Sequence, residues 1–366
     1  MTVFKKYLGY RLKKAVLPTL AFSLIALAIT SFYARVSADG FMAAVGPMGI
    51  ESLATIMGVI ASIIPMLETA RFKSRRNIDT LWFLPLSRFK MALVHYLSGL
   101  FQVFIIYTVA FVGHFLCLLD FSEHFKLQYM PLYYVLLLLL GVIVYSVFIF
   151  LFGEANGVAD GVMSSALWIF ALYAAVSALG LPIKLYAVEY IYGGYNSAFY
   201  AFAREYSQFS AWFIPFAPIN NLTVVFQSVM QGWKNYNDCE IYWPTFAEAI
   251  NRSFKHWYMV FPWIAAGIAS TWGYFRTFCR KGAEKAGDIS GSAFCYKTLI
   301  PIYGASLIFM STEGDGFTFF LTVAAMYIGY SIYRRSFRIP KSDIVTILSV
   351  IAGSIAFMLL TNGAFS

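Results

Sequence analysis

Charge is what this sequence has least of. Aspartate, glutamate, lysine and arginine make up 12% of its 366 residues, where an ordinary soluble domain carries about 25%, so the chain cannot clothe a water-facing surface of normal polarity. Cysteine is sparse too. Cys117, Cys239, Cys279 and Cys295 form no CxxC pair and no metal-ligand spacing, which argues against a disulfide scaffold or a zinc site; free thiols are expected, with a Cys117–Cys239 bridge on the outer side the one exception to consider. The four histidines do not cluster, and HExxH, GxSxG and GxxxxGK(S/T) are all missing. Metalloprotease, hydrolase and self-contained ATPase readings therefore lack their residues. A net charge of +9 comes with no arginine-rich motif, and nucleic acid is not an expected partner.

Apolar residues fill the space that charge leaves. Hydrophobic residues are 60% and aromatics 19% of the chain, and apolar runs near the roughly 20 residues that cross a bilayer as a helix recur from end to end. Nine candidate spans follow: 15–33, 48–67, 91–119, 130–152, 162–179, 257–275, 299–311, 317–333 and 344–360. The first is too long for a signal-peptide core and no clear cleavage site follows it, so it is kept as a span. The seventh is short and carries Pro301, tolerable near a first turn. The expectation is an all-α, polytopic transmembrane helical bundle.

Lysine and arginine set its orientation. Lys5, Lys6, Arg11, Lys13 and Lys14 precede the first span; Arg71, Lys73, Arg75, Arg76, Arg88 and Lys90 lie between the second and third. Arg276, Arg280, Lys281, Lys285 and Lys297 follow the sixth, and Arg334, Arg335, Arg338 and Lys341 separate the eighth and ninth. Only seven bases fall on the opposite side. The N-terminus is expected in the cytoplasm and the C-terminus outside.

Residues 1–14 place Phe4, Leu8 and Leu12 on one helical face amid lysines, as in a helix lying in the inner interface with its ammonium groups on anionic lipid headgroups. Arg11 falls near the apolar arc and would snorkel. The long outer segment, 181–256, is rich in tyrosine and tryptophan, which favour the headgroup level; its part 211–233, broken by Pro215 and Pro218, reads as interfacial or re-entrant helix. Glu51, His95 and His114 fall in or near spans, where an ionisable group is costly; each lies near a span end, and access to water is expected.

The most informative stretch is the inner loop from Glu68 to Arg88. Ile78, Leu81 and Trp82 share one side of a short helix, Arg75 and Arg76 precede it, and Pro85 ends it. Such a half-apolar, half-basic projection is a docking element. Asp79, the block Leu84, Pro85, Leu86, Ser87, Arg88, and Gly99 in the third span resemble the ABC-2-type permeases, the membrane subunits of bacterial ATP-binding-cassette exporters. A second, shorter likeness lies at Arg280, Lys281, Gly282, Ala283, Glu284, Lys285, Ala286 and Gly287.

The resemblance covers residues 1–290, a permease core of six spans, and leaves 291–366 as an additional three-span segment. It implies that residues 71–88 are a cytoplasmic coupling helix seated in a cleft of a separate cassette ATPase. Arg75, Arg76, Asp79, Leu81, Trp82, Leu84, Pro85, Leu86, Ser87 and Arg88 would make that contact. It further implies export across a bacterial plasma membrane, a second permease copy or a related permease as partner, and no bond chemistry by this chain, ATP and Mg being held by the ATPase. The rival expectation is an ion-coupled secondary transporter, which would show inverted repeats and midplane charges.

Overall fold

A computed structural model describes residues 3–38, 49–74, 85–119, 126–193, 205–214, 216–231, 233–234, 241–242, 245–253, 256–282, 286–310 and 316–365. The fold is all-α apart from one two-residue antiparallel pairing, β1 (Trp233–Lys234) with β2 (Ile241–Tyr242). The described part of each of the nine apolar stretches falls largely on a helix. Five helices among the described residues are long and apolar enough to cross a membrane: Val3–Arg35, Ile50–Lys73, Arg88–Leu119, Leu127–Glu154 and Val158–Gly180. A sixth is added if the bent pair Glu205–Phe213 and Ala217–Met230 counts as one span. The chain divides into two compact units, residues 1–153 with 216–286, and residues 154–215 with 287–366.

The first unit contains α1 (Val3–Ala38), α2 (Ile50–Thr69), α3 (Arg88–Leu119), α4 (Met130–Glu154, whose last residue belongs to the second unit), α6 (Ala217–Gln231), α7 (Phe246–Ser253) and α8 (Val260–Arg280). The expected break between an interfacial helix and a first span is not there. Leucine, lysine and tyrosine run through residues 10–17 with no glycine to interrupt them, and Pro18 is accommodated inside α1, next to Thr19, whose hydroxyl bonds the Ala15 carbonyl at 2.7 Å. At 1.5 Å per residue α1 is about 54 Å long, well beyond a hydrocarbon core of about 30 Å.

Helix α2 is the most buried of the five. Ile50, Leu53, Met57, Ile60 and Ile64, at alternating spacings of three and four, are all buried, the helical periodicity of a packed face. Its start is set by Gly49, at φ 67°, where a Cβ would lie 2.9 Å from the Tyr33 carbonyl oxygen. In lipid, helices gain little from burying apolar surface, so close approach and polar ties decide which pack together. Helices α1 and α3 approach at Gly113, where a Cβ would overlap Leu27, and the Thr30 hydroxyl bonds the Ala110 carbonyl at 3.2 Å. Helix α4 meets α3 through Tyr145, whose hydroxyl bonds the Tyr96 carbonyl at 3.1 Å, and meets α2 and α6 through Tyr133, bonded to the Ile50 carbonyl and to Thr223.

The second unit holds α5 (Val158–Gly193), α9 (Tyr296–Met310), α10 (Gly316–Arg334) and α11 (Lys341–Phe365). Helix α5 continues well past residue 179, the expected end of the fifth span, into what reads in sequence as the outer segment. It packs on α9 through Tyr303, whose hydroxyl bonds the Leu167 carbonyl at 2.7 Å, while the Trp168 indole bonds the Phe294 carbonyl just before α9. Ile308, Met326, Tyr330, Tyr333 and Ile347 form the core of α9, α10 and α11.

Candidate functional site

The loop between α2 and α3 is the part of the chain that sequence reasoning singles out, and its two stems are described. Arg75, Arg76, Asp79, Leu81, Trp82 and Leu84 lie outside the described residues. Pro85, Ser87 and Arg88 are exposed and Leu86 is half-buried. Ser87 begins α3: its hydroxyl accepts the Lys90 N–H at 3.4 Å and its carbonyl the Met91 N–H at 3.0 Å, the arrangement that satisfies otherwise orphaned donors at a helix start. Arg88 reaches the end of α8, donating to the carbonyls of Cys279 and Lys281 at 3.2 Å each. A cation there complements the negative end of the helix dipole. The two stretches carrying the family resemblance, far apart in sequence, therefore meet at this side chain. Nearby helix ends are tied in the same way, with the Lys281 ammonium on the Gly153 carbonyl at 2.6 Å and that of Lys73 over the Phe152 ring at 4.6 Å.

Behind the loop stem lies a buried ionic hub that the sequence reading did not anticipate. Glu68, in the last turn of α2, is paired with Arg11 of α1, each about 5% exposed. The same carboxylate accepts from His95 Nδ1 at 3.1 Å and from Gln102 Nε2 at 2.6 Å, both on α3. With Nδ1–H directed at Glu68, a neutral His95 presents Nε2 as an acceptor, and the Tyr7 hydroxyl stands 3.1 Å from it. Phe72 closes the hub, its ring edge-on to His95 at 4.6 Å and to Phe278 of α8 at 5.0 Å.

This geometry corrects two expectations. Arg11 does not snorkel to water; it turns inward because Glu68 supplies the counter-charge that makes burial tolerable. His95 is fully buried, Glu68 and Tyr7 taking the place of water at its two nitrogens. His114 is also fully buried, with Nδ1 3.1 Å from the Thr30 carbonyl oxygen, whereas Glu51 is exposed. Three cysteines, Cys117, Cys279 and Cys295, are free thiols; Cys239 lies outside the described residues. The signal for the hub was present in part: an arginine on an apolar arc, and a glutamate closing an apolar run.

Chemically the hub ties α1, α2 and α3 together at one buried carboxylate. No group of three histidine, cysteine or acidic side chains placed to hold a metal ion occurs among the described residues. Long apolar helices, outward-facing side chains such as Leu17, Ile268 and Ile332 and an ionic cluster packed inward define the class: a polytopic helical membrane protein. No protein-family model, curated protein or solved structure matches the chain.

Proposed function

We propose that the chain is the membrane-spanning permease subunit of an ATP-binding-cassette exporter in a bacterial plasma membrane, working with a separate cassette ATPase and a second permease. All nine helical stretches are read as spans, with the N-terminus inside and the C-terminus outside. The observation that carries the reading is the anchoring of the 74–87 loop. One stem runs into the Glu68 hub, which holds α2 to α1 and α3; the other begins at Ser87 and Arg88, which ties α3 to the end of α8. A push on a loop rooted in this way would reach four helices, which is what a coupling element has to do. The Leu84–Arg88 block and the absence of a phosphate-binding loop support the division of labour between two chains.

The test is to express the chain with the cassette ATPase encoded beside it, copurify the two, and measure ATP turnover. The chain alone should hydrolyse no ATP; the complex should, and Trp82→Ala should weaken assembly. Hydrolysis by the isolated chain, or no association with any cassette ATPase, defeats the proposal. The hub also favours a second reading, an ion-coupled transporter, because buried ionisable groups mark proton paths in membrane proteins. That reading requires a purified chain to move protons in proteoliposomes without nucleotide, and to lose this on Glu68→Gln.

A further inference from the structure

The turn joining α10 to α11 is held more firmly than a simple charge signal requires. The Ser336 N–H bonds the Ser331 carbonyl and the Arg335 N–H bonds the Ile332 carbonyl, both at 3.1 Å, with Arg335 in the left-handed region at φ 54°. Glycine is the usual residue at that position past a helix end, since it has no Cβ to crowd the backbone; here an arginine side chain is kept instead. Arg334 grips Asp343 with two bonds, 2.9 and 3.1 Å. The Tyr327 hydroxyl bonds the Phe337 carbonyl at 3.0 Å, and the Arg338 N–H bonds Ser336 Oγ at 3.1 Å.

On this fixed frame Phe337 is 86% exposed, and Arg335, Arg338 and Lys341 are exposed as well. The acidic residue of the hairpin, Asp343, is buried and taken up by Arg334. The helices that the turn joins also expose apolar side chains, Ile328 and Ile332 on α10 and Val345 and Leu348 on α11.

We propose that this turn binds the anionic phosphate headgroups of the inner leaflet, with the Phe337 ring at the boundary between headgroups and acyl chains and Arg335, Arg338 and Lys341 on the phosphates. The inference rests on reading α10 and α11 as spans whose connection is cytoplasmic. Charge complementarity points to an anionic surface. The shortness of the turn, residues 335–340, and the exposed apolar side chains on both helices that flank it favour lipid over an acidic protein, because an exposed ring among bases at the ends of two spans suits the headgroup boundary where aromatic side chains settle in bilayers.

The test places a nitroxide at Phe337→Cys, with Cys117, Cys239, Cys279 and Cys295 replaced by serine, in nanodiscs of phosphatidylcholine with or without phosphatidylglycerol. The label should be more accessible to oxygen than to an aqueous nickel chelate, and more so when the anionic lipid is present. Retention of phosphatidylglycerol by unlabelled protein, read by native mass spectrometry, should fall about fivefold for each base removed in Arg335→Gly and Arg338→Gln; glycine fits the left-handed position, so loss of the fold is not the cause. A water-exposed label in both lipids, or retention indifferent to both substitutions, overturns the proposal; if an acidic soluble protein then binds the turn, that protein is its partner. Sidedness is read separately with Arg338→Cys and an impermeant maleimide: reaction from outside intact cells defeats the topology while leaving the lipid measurement to stand on its own.

Discussion

Glu68→Ala is the substitution from which the most follows. The carboxylate is about 5% exposed and accepts from Arg11, His95 and Gln102, so alanine leaves a buried guanidinium without its counter-charge and two further donors without their acceptor. Breaking a buried ion pair from one side costs about 3–5 kcal/mol. At a tenfold change per 1.4 kcal/mol, amide exchange in α1, α2 and α3 should accelerate by about a hundredfold to several thousandfold if those helices open together. Hydrogen-exchange mass spectrometry of the detergent-purified chain reads this peptide by peptide, and α9 to α11 serve as the internal reference.

Arg11→Met should cost less, because Glu68 keeps His95 and Gln102 as hydrogen-bond donors. The double variant Arg11→Met/Glu68→Leu removes both charges and leaves His95 with Tyr7 and Gln102 with the Ser98 carbonyl. It should exchange more slowly than Glu68→Leu alone, and the cycle with Arg11→Met and Glu68→Leu should give a coupling energy within about 0.5–3 kcal/mol. Exchange in Glu68→Ala within threefold of the parent, or a double variant as fast as the single, would refute the hub as a tie between these helices.

Other substitutions test neighbouring parts. Gly99→Ala sets a Cβ against the Tyr145 hydroxyl, whereas Gly282→Ala meets nothing within 4 Å; the first should destabilise by about 1–3 kcal/mol and the second should leave thermal unfolding unchanged. Arg88→Gln removes the cation from the end of α8 and should cost about 0.3–1 kcal/mol, seen as faster exchange near residues 276–282. If the 74–87 loop docks on an ATPase, Trp82→Ala should weaken copurification by about 2 kcal/mol or more and Arg76→Ala by roughly 0–1 kcal/mol; equal effects would make the loop a topology signal.

The helices were legible because an apolar run in lipid must satisfy its own backbone bonds: helix is present in the described part of all nine runs, and the first five coincide with helices long and apolar enough to cross a membrane. Their ends were less legible. Residues 1–14 and 15–33 differ in polarity, yet polarity does not break a helix, and α1 runs through both. Likewise 181–193 falls in the expected outer segment, after the expected end of the fifth span, and continues the same helix. The hub was hidden for a different reason. Arg11, Glu68 and His95 are 57 and 27 residues apart along the chain, and each alone reads as a charge near a membrane surface. Only helix packing shows that they neutralise one another. Arg88 was legible as a residue of interest, but not the carbonyls it would meet.

An ionic tie among three helices is a poor way to gain net stability, since apolar side chains of similar size often do as well. Its effect lies in the asymmetry between the intact and the broken state. Leucines on α1 and α3 could slide past one another in lipid at little cost, because each registry exposes similar surfaces to similar solvent. Glu68 cannot slide: a shift of α2 by one turn along α1 parts it from Arg11, a shift along α3 parts it from His95 and Gln102, and each breaks hydrogen bonds that hold a buried charge. The hub therefore holds α1, α2 and α3 to one registry where the 74–87 loop departs from α2, while Arg88 holds the start of α3 to the end of α8 where the same loop returns. If the loop couples to an ATPase as proposed, a displacement of it would be passed on as movement of whole helices and would not be absorbed by slippage between them.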